Sequence, residues 1–303
     1  MRYAHIIAAL MEERWAIQHE KMQVIIDFVA QQAAGVKFEA AEIEARIGKG
    51  QEQAVARKEG NVALLPLHGV ISNRMSLMGD ISGGTSSEGF ARNFQAAVRD
   101  DGIKAIVIDT NSPGGAVSGT PELSSMIHAA RGTKPIIAHV NANAASAAYW
   151  AITGSDEVVV TPSGQVGSIG VLSIHDDLSA ALEKAGVKKT ITKAGDFKTD
   201  GNPFQPLSED VQARIQAKVD AAYDLFVRDV ARNRNVSLAT VREGFGRGDM
   251  VDAEQAVAEG MADRIGTLDE TLQRFGVSLY GAQPQQTRRR AFATEREKRA
   301  LML

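Results

Sequence analysis

The run AIVID (Ala105 to Asp109) ends almost directly in SPGG (Ser112 to Gly115), and Thr120-Pro121-Glu122 follows. A strand with no polar alternation has to be covered on both faces, which is how a parallel strand buried between helices reads. Thr120, Pro121 and Glu122 supply an N-cap, a proline at the first helical position and an acidic first turn, so a helix is expected to about Arg131. Pro135 to Val140 reads as the next strand. Strand, helix and strand in this order make a βαβ unit, and the chain is expected to be α/β.

The rest of the chain extends this pattern. Residues 1 to about 60 read as a helical N-terminal extension and linker, with Met22, Ile25, Ile26 and Val29 at helical spacing. A compact domain is expected over 61–275. Within it, Val62 to Ile71 reads as a strand region and Ser87 to Arg99 as a helix with Phe90, Phe94, Ala97 and Val98 on one face. A short helix is expected near Ser146 and a strand over Glu157 to Val160. Ser208 reads as the cap of a long helix with Val211, Ile215, Val219, Ala222 and Phe226 facing inward. Ala253 to Glu259 reads as a helix stopped by Gly260. Residues 276–303 read as a basic, disordered tail, since Gly281 to Leu303 carries six Lys or Arg against two Glu.

Composition narrows the chemistry. A chain of 303 residues can bury one substantial core. A formal charge of −3 gives no general pull toward nucleic acid or a membrane surface. Zero cysteines exclude disulfides, thiol catalysis and thiolate metal sites. The six histidines show no metal-ligand spacing, and no metal or cofactor is expected. The apolar run Ile6 to Met11 is too short for a signal peptide and meets Glu12, Glu13 and Arg14 at once. No stretch approaches the roughly 20 apolar residues of a membrane span. The expectation is a chain without a membrane anchor that stays in the cytoplasm.

Four segments carry candidate chemistry. Glycines at the carboxyl end of a parallel strand let backbone N–H groups approach a ligand, and such groups can hold an oxyanion; SPGG is also simply a tight turn. Ser146, in AASAAYW (Ala144 to Trp150), is flanked by small residues that leave room for a peptide, although a serine among alanines also suits a packed helix. Lys198, in GDFKTDGNPF (Gly195 to Phe204), lies in a polar loop where lysine is ordinarily a solvated charge. To act as a base a lysine must be neutral, and lowering it from about 10.4 to about 7 takes roughly 4–5 kcal/mol. Ser168, in GSIG (Gly167 to Gly170), can hydrogen-bond such an amine, or be a turn serine. His175, beside Asp176 and Asp177, is the candidate for a conventional triad, and a surface or capping role suits it better.

Taken together, SPGG, AASAAYW, GSIG and GDFKTDGNPF resemble the signal peptide peptidase A family of Ser–Lys peptidases. Within it the chain looks most similar to bacteriophage head maturation (prohead) proteases. The resemblance covers about residues 61 to 275 and ends in AEQAVAEGMADRIG (Ala253 to Gly266). It implies a Clp protease/crotonase-like spiral of ββα units. It implies Ser146 as nucleophile, Lys198 as general base, Ser168 as the residue orienting the lysine, and Gly115 and Ala147 as the backbone donors of the oxyanion hole. It further implies a homo-oligomeric ring in which serine and lysine come from one chain or from neighbours. Where many members read Ala-Ser-Gly-Gly, this chain reads Ala-Ser-Ala-Ala, which alters the pocket beside the serine.

The expected reaction is amide hydrolysis on polypeptide substrates through an acyl-enzyme, with no cofactor. The first biological reading is a capsid-assembly protease cleaving scaffold, portal or itself inside the prohead in the host cytoplasm. The WAI segment (Trp15 to Ile17) and the basic tail suit docking there. The alternatives are a cytoplasmic signal peptide peptidase and, in another class, a non-catalytic capsid-assembly scaffold protein. A crotonase-type acyl-CoA enzyme is disfavoured, because no nucleotide-binding feature is present.

Overall fold

The run AIVID lies at the centre of the larger of two sheets in a computed structural model that describes residues 13–33, 56–74 and 84–280. The strands are β1 (Trp15–Ile17), β2 (Arg57–Glu59), β3 (Val62–His68), β4 (Ile71–Ser72), β5 (Thr85–Ser86), β6 (Ala105–Ser112), β7 (Gly114–Ala116), β8 (Ile136–Ala145), β9 (Glu157–Val160), β10 (Gln165–Gly167), β11 (Met250–Asp252) and β12 (Arg264–Ile265). The helices are α1 (His19–Ala33), α2 (Ser87–Arg99), α3 (Thr120–Ala129), α4 (Ala147–Ile152), α5 (Ser179–Lys184), α6 (Glu209–Arg234), α7 (Leu238–Glu243), α8 (Ala253–Ala258) and α9 (Leu268–Gln273). The chain is α/β, as its sequence pattern requires.

β6 is parallel to β3 on one side and to β8 on the other, with Val107 opposite Leu64 and Ile137. Its two faces feed different clusters. Ile106 and Ile108 join the main core with Phe90 and Phe94 of α2 and Leu123 and Ile127 of α3. Ala105 and Val107 point the other way, with Val62 and Leu64, against Leu272 of α9. Helices therefore cover both faces, which is why no polar alternation is present. α9 is held in place by a capping box in which Thr267 and Glu270 satisfy each other's backbone N–H groups.

One unit recurs. β3 in the large sheet is followed by β4 and the two-residue β5 in the small sheet and then by α2; β6 is followed by β7 in the small sheet and then by α3. Each crossing between sheets happens at the carboxyl end of a large-sheet strand. β8 is longer than its neighbours and is shared along its length. Ile137 to Val140 pair with β9, whereas Asn143 to Ala145 pair with β10. The chain thus leaves the sheet at Ala145, next to β7.

Several local expectations shift. Thr120 does not cap α3: the cap is Gly119 in the left-handed region, and the Thr120 hydroxyl donates to the Ala116 carbonyl at 2.8 Å. Being buried, Thr120 finds a backbone acceptor inside and leaves the cap to a residue that tolerates positive φ. Ser208 caps α6 as expected, accepting from the Val211 N–H. Ala222 and Phe226 are buried, but Val211, Ile215 and Val219 are only half-buried, because the first half of α6 projects past the core. In the region read as helix and linker, Trp15–Ile17 and Arg57–Glu59 are strands. Each completes a sheet edge through antiparallel pairing, which short-range periodicity does not reveal. The expected tail over 276–303 is described only to residue 280, and there it packs. Val277 and Leu279 lie against the cluster of Leu272, Val62 and Leu64, and the Val277 N–H donates to the Leu272 carbonyl at 3.2 Å. Gly281 to Leu303 lies outside the described residues.

Candidate active site

The SPGG turn is built by its serine. The Ser112 hydroxyl donates to the Gly69 carbonyl at 2.6 Å and accepts the Gly114 N–H at 3.1 Å. This pins the passage from β6 to β7. Gly114 has φ +98°, and a Cβ there would strike the Ala16 carbonyl oxygen and come within 3.0 Å of the Ala145 carbonyl oxygen. A Cβ at Gly115 would collide with the Ile71 carbonyl of β4. Both positions require glycine because three backbone segments converge on them.

Ser146 stands on the opposite wall of this junction, where β8 turns into α4. Its backbone is strained for a non-glycine residue, with φ +53° and ψ −116°. Its N–H donates to the Gly167 carbonyl at 2.7 Å and its carbonyl accepts from Trp150 at 2.8 Å, so the turn is fixed from both sides. Its hydroxyl donates to the Gly170 carbonyl at 3.4 Å. The side chain is buried, with 1% of the residue exposed. Ala147 follows as the first residue of α4, and all six residues of that helix are fully buried.

Anchors deep in α4 hold the serine. Trp150 stacks on Phe226 of α6 and donates its indole N–H to Asp229 Oδ2 at 2.8 Å. The buried Tyr149 hydroxyl donates to the Met261 carbonyl at 2.9 Å, and burial pushes its pKa up. Arg131 at the end of α3 donates to the carbonyls of Thr153, Gly154, Ser155 and Asn233, joining α3, the end of α4 and α6.

Ser168 and the GSIG segment lie beside Ser146. Ser168 has φ +52°, donates its N–H to the Asp249 carbonyl at 2.8 Å and is half-buried. It lines a cavity of about 270 Å³ together with Gly170, Met250 and residues Ile17 to Glu20.

Lys198 lies elsewhere. It belongs to an exposed arm, Val187 to Asn202, packed on the first half of α6. Arg214 of α6 pairs with Asp200 at 2.7 Å and its guanidinium lies over the Phe197 ring at 4.4 Å. His175 makes no triad; its Nε2 meets the Asn202 carbonyl at 3.1 Å and ties the root of the arm. The Lys198 side chain is exposed, while the Ser146 hydroxyl bonds Gly170. The structure therefore brings Gly115, Ser146, Ala147 and Ser168 to one junction and leaves Lys198 outside it. Phe197 (63% exposed), Ile191 and Val187 give the same arm an apolar surface facing solvent, which Phe204 extends just beyond it.

Residues 128–278 match the family description "Peptidase family S49". The chain belongs to this family. Relatives of two kinds are similar to it. The head-tail preconnector protein GP5 of Enterobacteria phage P21 is 28% identical over 97% of this chain and 62% of its own length. The capsid assembly protease C of Escherichia phage lambda is 31% identical over 67% of this chain and 46% of its own. A putative signal peptide peptidase SppA of Enterococcus faecium is 33% identical over 61% of this chain and 54% of its own. The chain thus spans about half to three fifths of the length of these relatives. No helix among the described residues is long and apolar enough to cross a membrane.

Two features of this junction escaped the sequence. The Gly170 carbonyl, which receives the Ser146 hydroxyl, has no residue-type signature. β1 pairs directly with the SPGG strand, with Ala16 opposite Gly115. Only the three consecutive apolar residues Trp15-Ala16-Ile17 hinted at it.

Proposed function

We propose that the chain is a serine endopeptidase in which Ser146 is the nucleophile and Lys198, from a neighbouring copy, is the general base. The observation that carries this reading is the Ser146 turn: a buried hydroxyl, bonded to the Gly170 carbonyl, on a residue held at strained φ/ψ where a fully buried helix begins, one residue after the Ala145 carbonyl that lies against Gly114 of β7. Strain of this kind persists where surrounding structure over-determines it and function uses it. The exposed, apolar-flanked Lys198 arm supports a base delivered across a subunit boundary in a homo-oligomeric ring. Docking of that arm strips water from the amine, which a neutral base needs. We read the recurring strand–strand–helix unit as the Clp protease/crotonase-like spiral.

In the proposed reaction neutral Lys198 takes the proton from Ser146 Oγ as that oxygen bonds to the scissile carbonyl carbon. The N–H groups of Gly115 and Ala147 receive the negative oxygen. As the carbon–nitrogen bond breaks, protonated Lys198 gives its proton to the departing amine. Water then attacks the ester as Lys198 takes its proton. Protonated Lys198 gives that proton to Ser146 Oγ as the ester bond breaks, which releases the acid and regenerates Ser146 and neutral Lys198. Ser168 orients the amine.

The substrates proposed are polypeptides of phage head assembly: scaffold, portal or the chain itself, in the host cytoplasm within the prohead. Similarity to the phage P21 and lambda proteins supports this, the former along nearly the whole chain. A signal peptide peptidase role is the second reading, supported by the similar Enterococcus faecium protein. A scaffold that has lost catalysis is the reading from another class.

Two measurements decide. A fluorophosphonate should label Ser146 in the wild type and fail to label Lys198→Ala; equal labelling of both would remove Lys198 from the mechanism. Co-expression of wild type and Ser146→Ala with head proteins encoded beside it should give trimmed products, by mass spectrometry, with wild type only. Trimming of signal peptides alone would favour the second reading, and no cleavage of any polypeptide would favour the third.

A further inference from the structure

β1 is the most constrained part of the described N-terminal region. The Gln18 N–H donates to the Pro113 carbonyl at 2.9 Å and the Val117 N–H to the Arg14 carbonyl at 2.8 Å. Antiparallel ladders bond at every second residue pair, so Ala16 and Gly115, midway between these two, are a bonded pair. The Ala16 carbonyl thereby occupies the Gly115 N–H. On the other edge of the strand, Trp15 and Leu172 exchange both backbone bonds at 2.9 Å. A three-residue segment is thus paired on both sides, between β7 and the chain that leaves GSIG.

That slot passes the reactive turn. Its floor includes Gly114, where one added carbon would meet both the Ala16 and Ala145 carbonyl oxygens. Gly170, two residues before Leu172, accepts the Ser146 hydroxyl. Trp15 and Ile17 are buried with Val70, Ala116, Met22 and Ile25, and Leu172 packs against them. Backbone pairing to exposed strand edges, with alternate side chains in apolar pockets, is how extended peptides are recognised.

We propose that Arg14–Gln18 is a resident pseudosubstrate: it fills the track of an extended polypeptide and excludes substrate until it is displaced. The inference rests on the peptidase reading for the identity of the track. It also specifies the occupant class. A competing segment is extended, with a small residue at the Ala16 position between apolar residues at the Trp15 and Ile17 positions. The Gly115 N–H cannot receive an oxyanion while Ala16 holds it, so displacement of β1 precedes catalysis.

The test measures binding, so that it is independent of turnover. A fluorescent peptide with the sequence of residues 13–19 is titrated, by anisotropy, into full-length Ser146→Ala and into Ser146→Ala carrying Ile17→Asp. Because apparent affinity scales with the fraction of open sites, the double variant should bind at least about 10-fold more tightly. A milder second variant, Gln18→Pro, removes one backbone bond at the strand end and leaves Trp15 and Ile17 in place; it should bind about 3-fold more tightly. Thermal melts confirm that each protein is folded, and the milder variant decides if Ile17→Asp is not. Equal affinity in the folded proteins, or no binding to any of them, overturns the inference. If the peptide binds as expected while no polypeptide is ever cleaved, the peptidase reading fails and the occupied track stands.

Discussion

The indole of Trp150 lies flat on the ring of Phe226, with centroids 4.4 Å apart and planes 8° from parallel. Ser146 is four residues upstream, and its carbonyl accepts the Trp150 N–H. The stack therefore couples the position of the serine to the long helix α6. Trp150→Ala should cost about 3–5 kcal/mol, from lost burial and the cavity left behind. Trp150→Phe should cost less, about 1–3 kcal/mol, mainly because Asp229 loses its buried indole donor. Urea unfolding checks both values, and a cost near zero for Trp150→Ala would show that α4 is not anchored there.

The separation of Ser146 and Lys198 predicts complementation. If the base comes from a neighbouring copy, Ser146→Ala and Lys198→Ala are each inactive alone. Co-refolded in equal amounts, they should regain about a quarter of wild-type activity, since half the serines are intact and half of those meet an intact lysine in a symmetric ring. Activity that stays at zero in verified mixed assemblies would place both residues in one chain.

Much of this arrangement was legible in the sequence, for identifiable reasons. AIVID announced a two-sided strand because its packing tolerates no polar residue. SPGG and GSIG stood out because backbone crowding and positive φ restrict those positions to few residue types. Pairings between distant segments leave no comparable trace. Trp15–Ile17 is too short to show a period, and nothing in it names Gly114–Ala116 as its partner. Lys198 sits in a polar loop whose own residues are satisfied locally, so its separation from Ser146 is a property of tertiary placement. Thr120 looked like a cap because its residue type suits one; burial gave its hydroxyl another acceptor.

His139 predicts a specific acid sensitivity. It is fully buried on β8, with Nδ1 3.2 Å from Thr271 Oγ1 of α9. Burial lowers its pKa to about 4, against the partial opposition of nearby Asp109. The unfolded chain binds a proton near pH 6.5 and the folded chain does not, so stability falls as pH drops from about 6.5 toward 4. The loss attributable to His139 approaches roughly 3 kcal/mol at the lower end. His139→Gln should flatten this part of the profile in urea melts taken at several pH values. An unchanged slope would mean that another group carries it.

Gly115→Ala tests the convergence at the junction. The added carbon meets the Ile71 carbonyl, a backbone atom that cannot swing aside. Separation of β4 from β7 should follow, with a stability loss above about 2 kcal/mol and loss of fluorophosphonate labelling. Gly132→Ala is the control for added bulk, because nothing lies within 4 Å of a Cβ there. Its φ of +78° confines its cost to backbone strain, about 1 kcal/mol, with labelling retained.

The last prediction concerns the conformation of Ser146 itself. At φ +53° and ψ −116° a Cβ is strained, and the bonds to Gly167 and Trp150 hold it there. Glycine has no such penalty. Ser146→Gly should therefore retain full stability or gain about 1 kcal/mol, despite losing a buried hydroxyl bonded to Gly170. Ser146→Ala keeps the strain and loses the hydrogen bond, so it should be the less stable of the two. Both should fail to react with fluorophosphonate. A stabilised, inactive glycine variant would mean that the fold tolerates strain at the position where the hydroxyl is needed. A Ser146→Gly protein clearly less stable than Ser146→Ala would mean instead that the turn is unstrained.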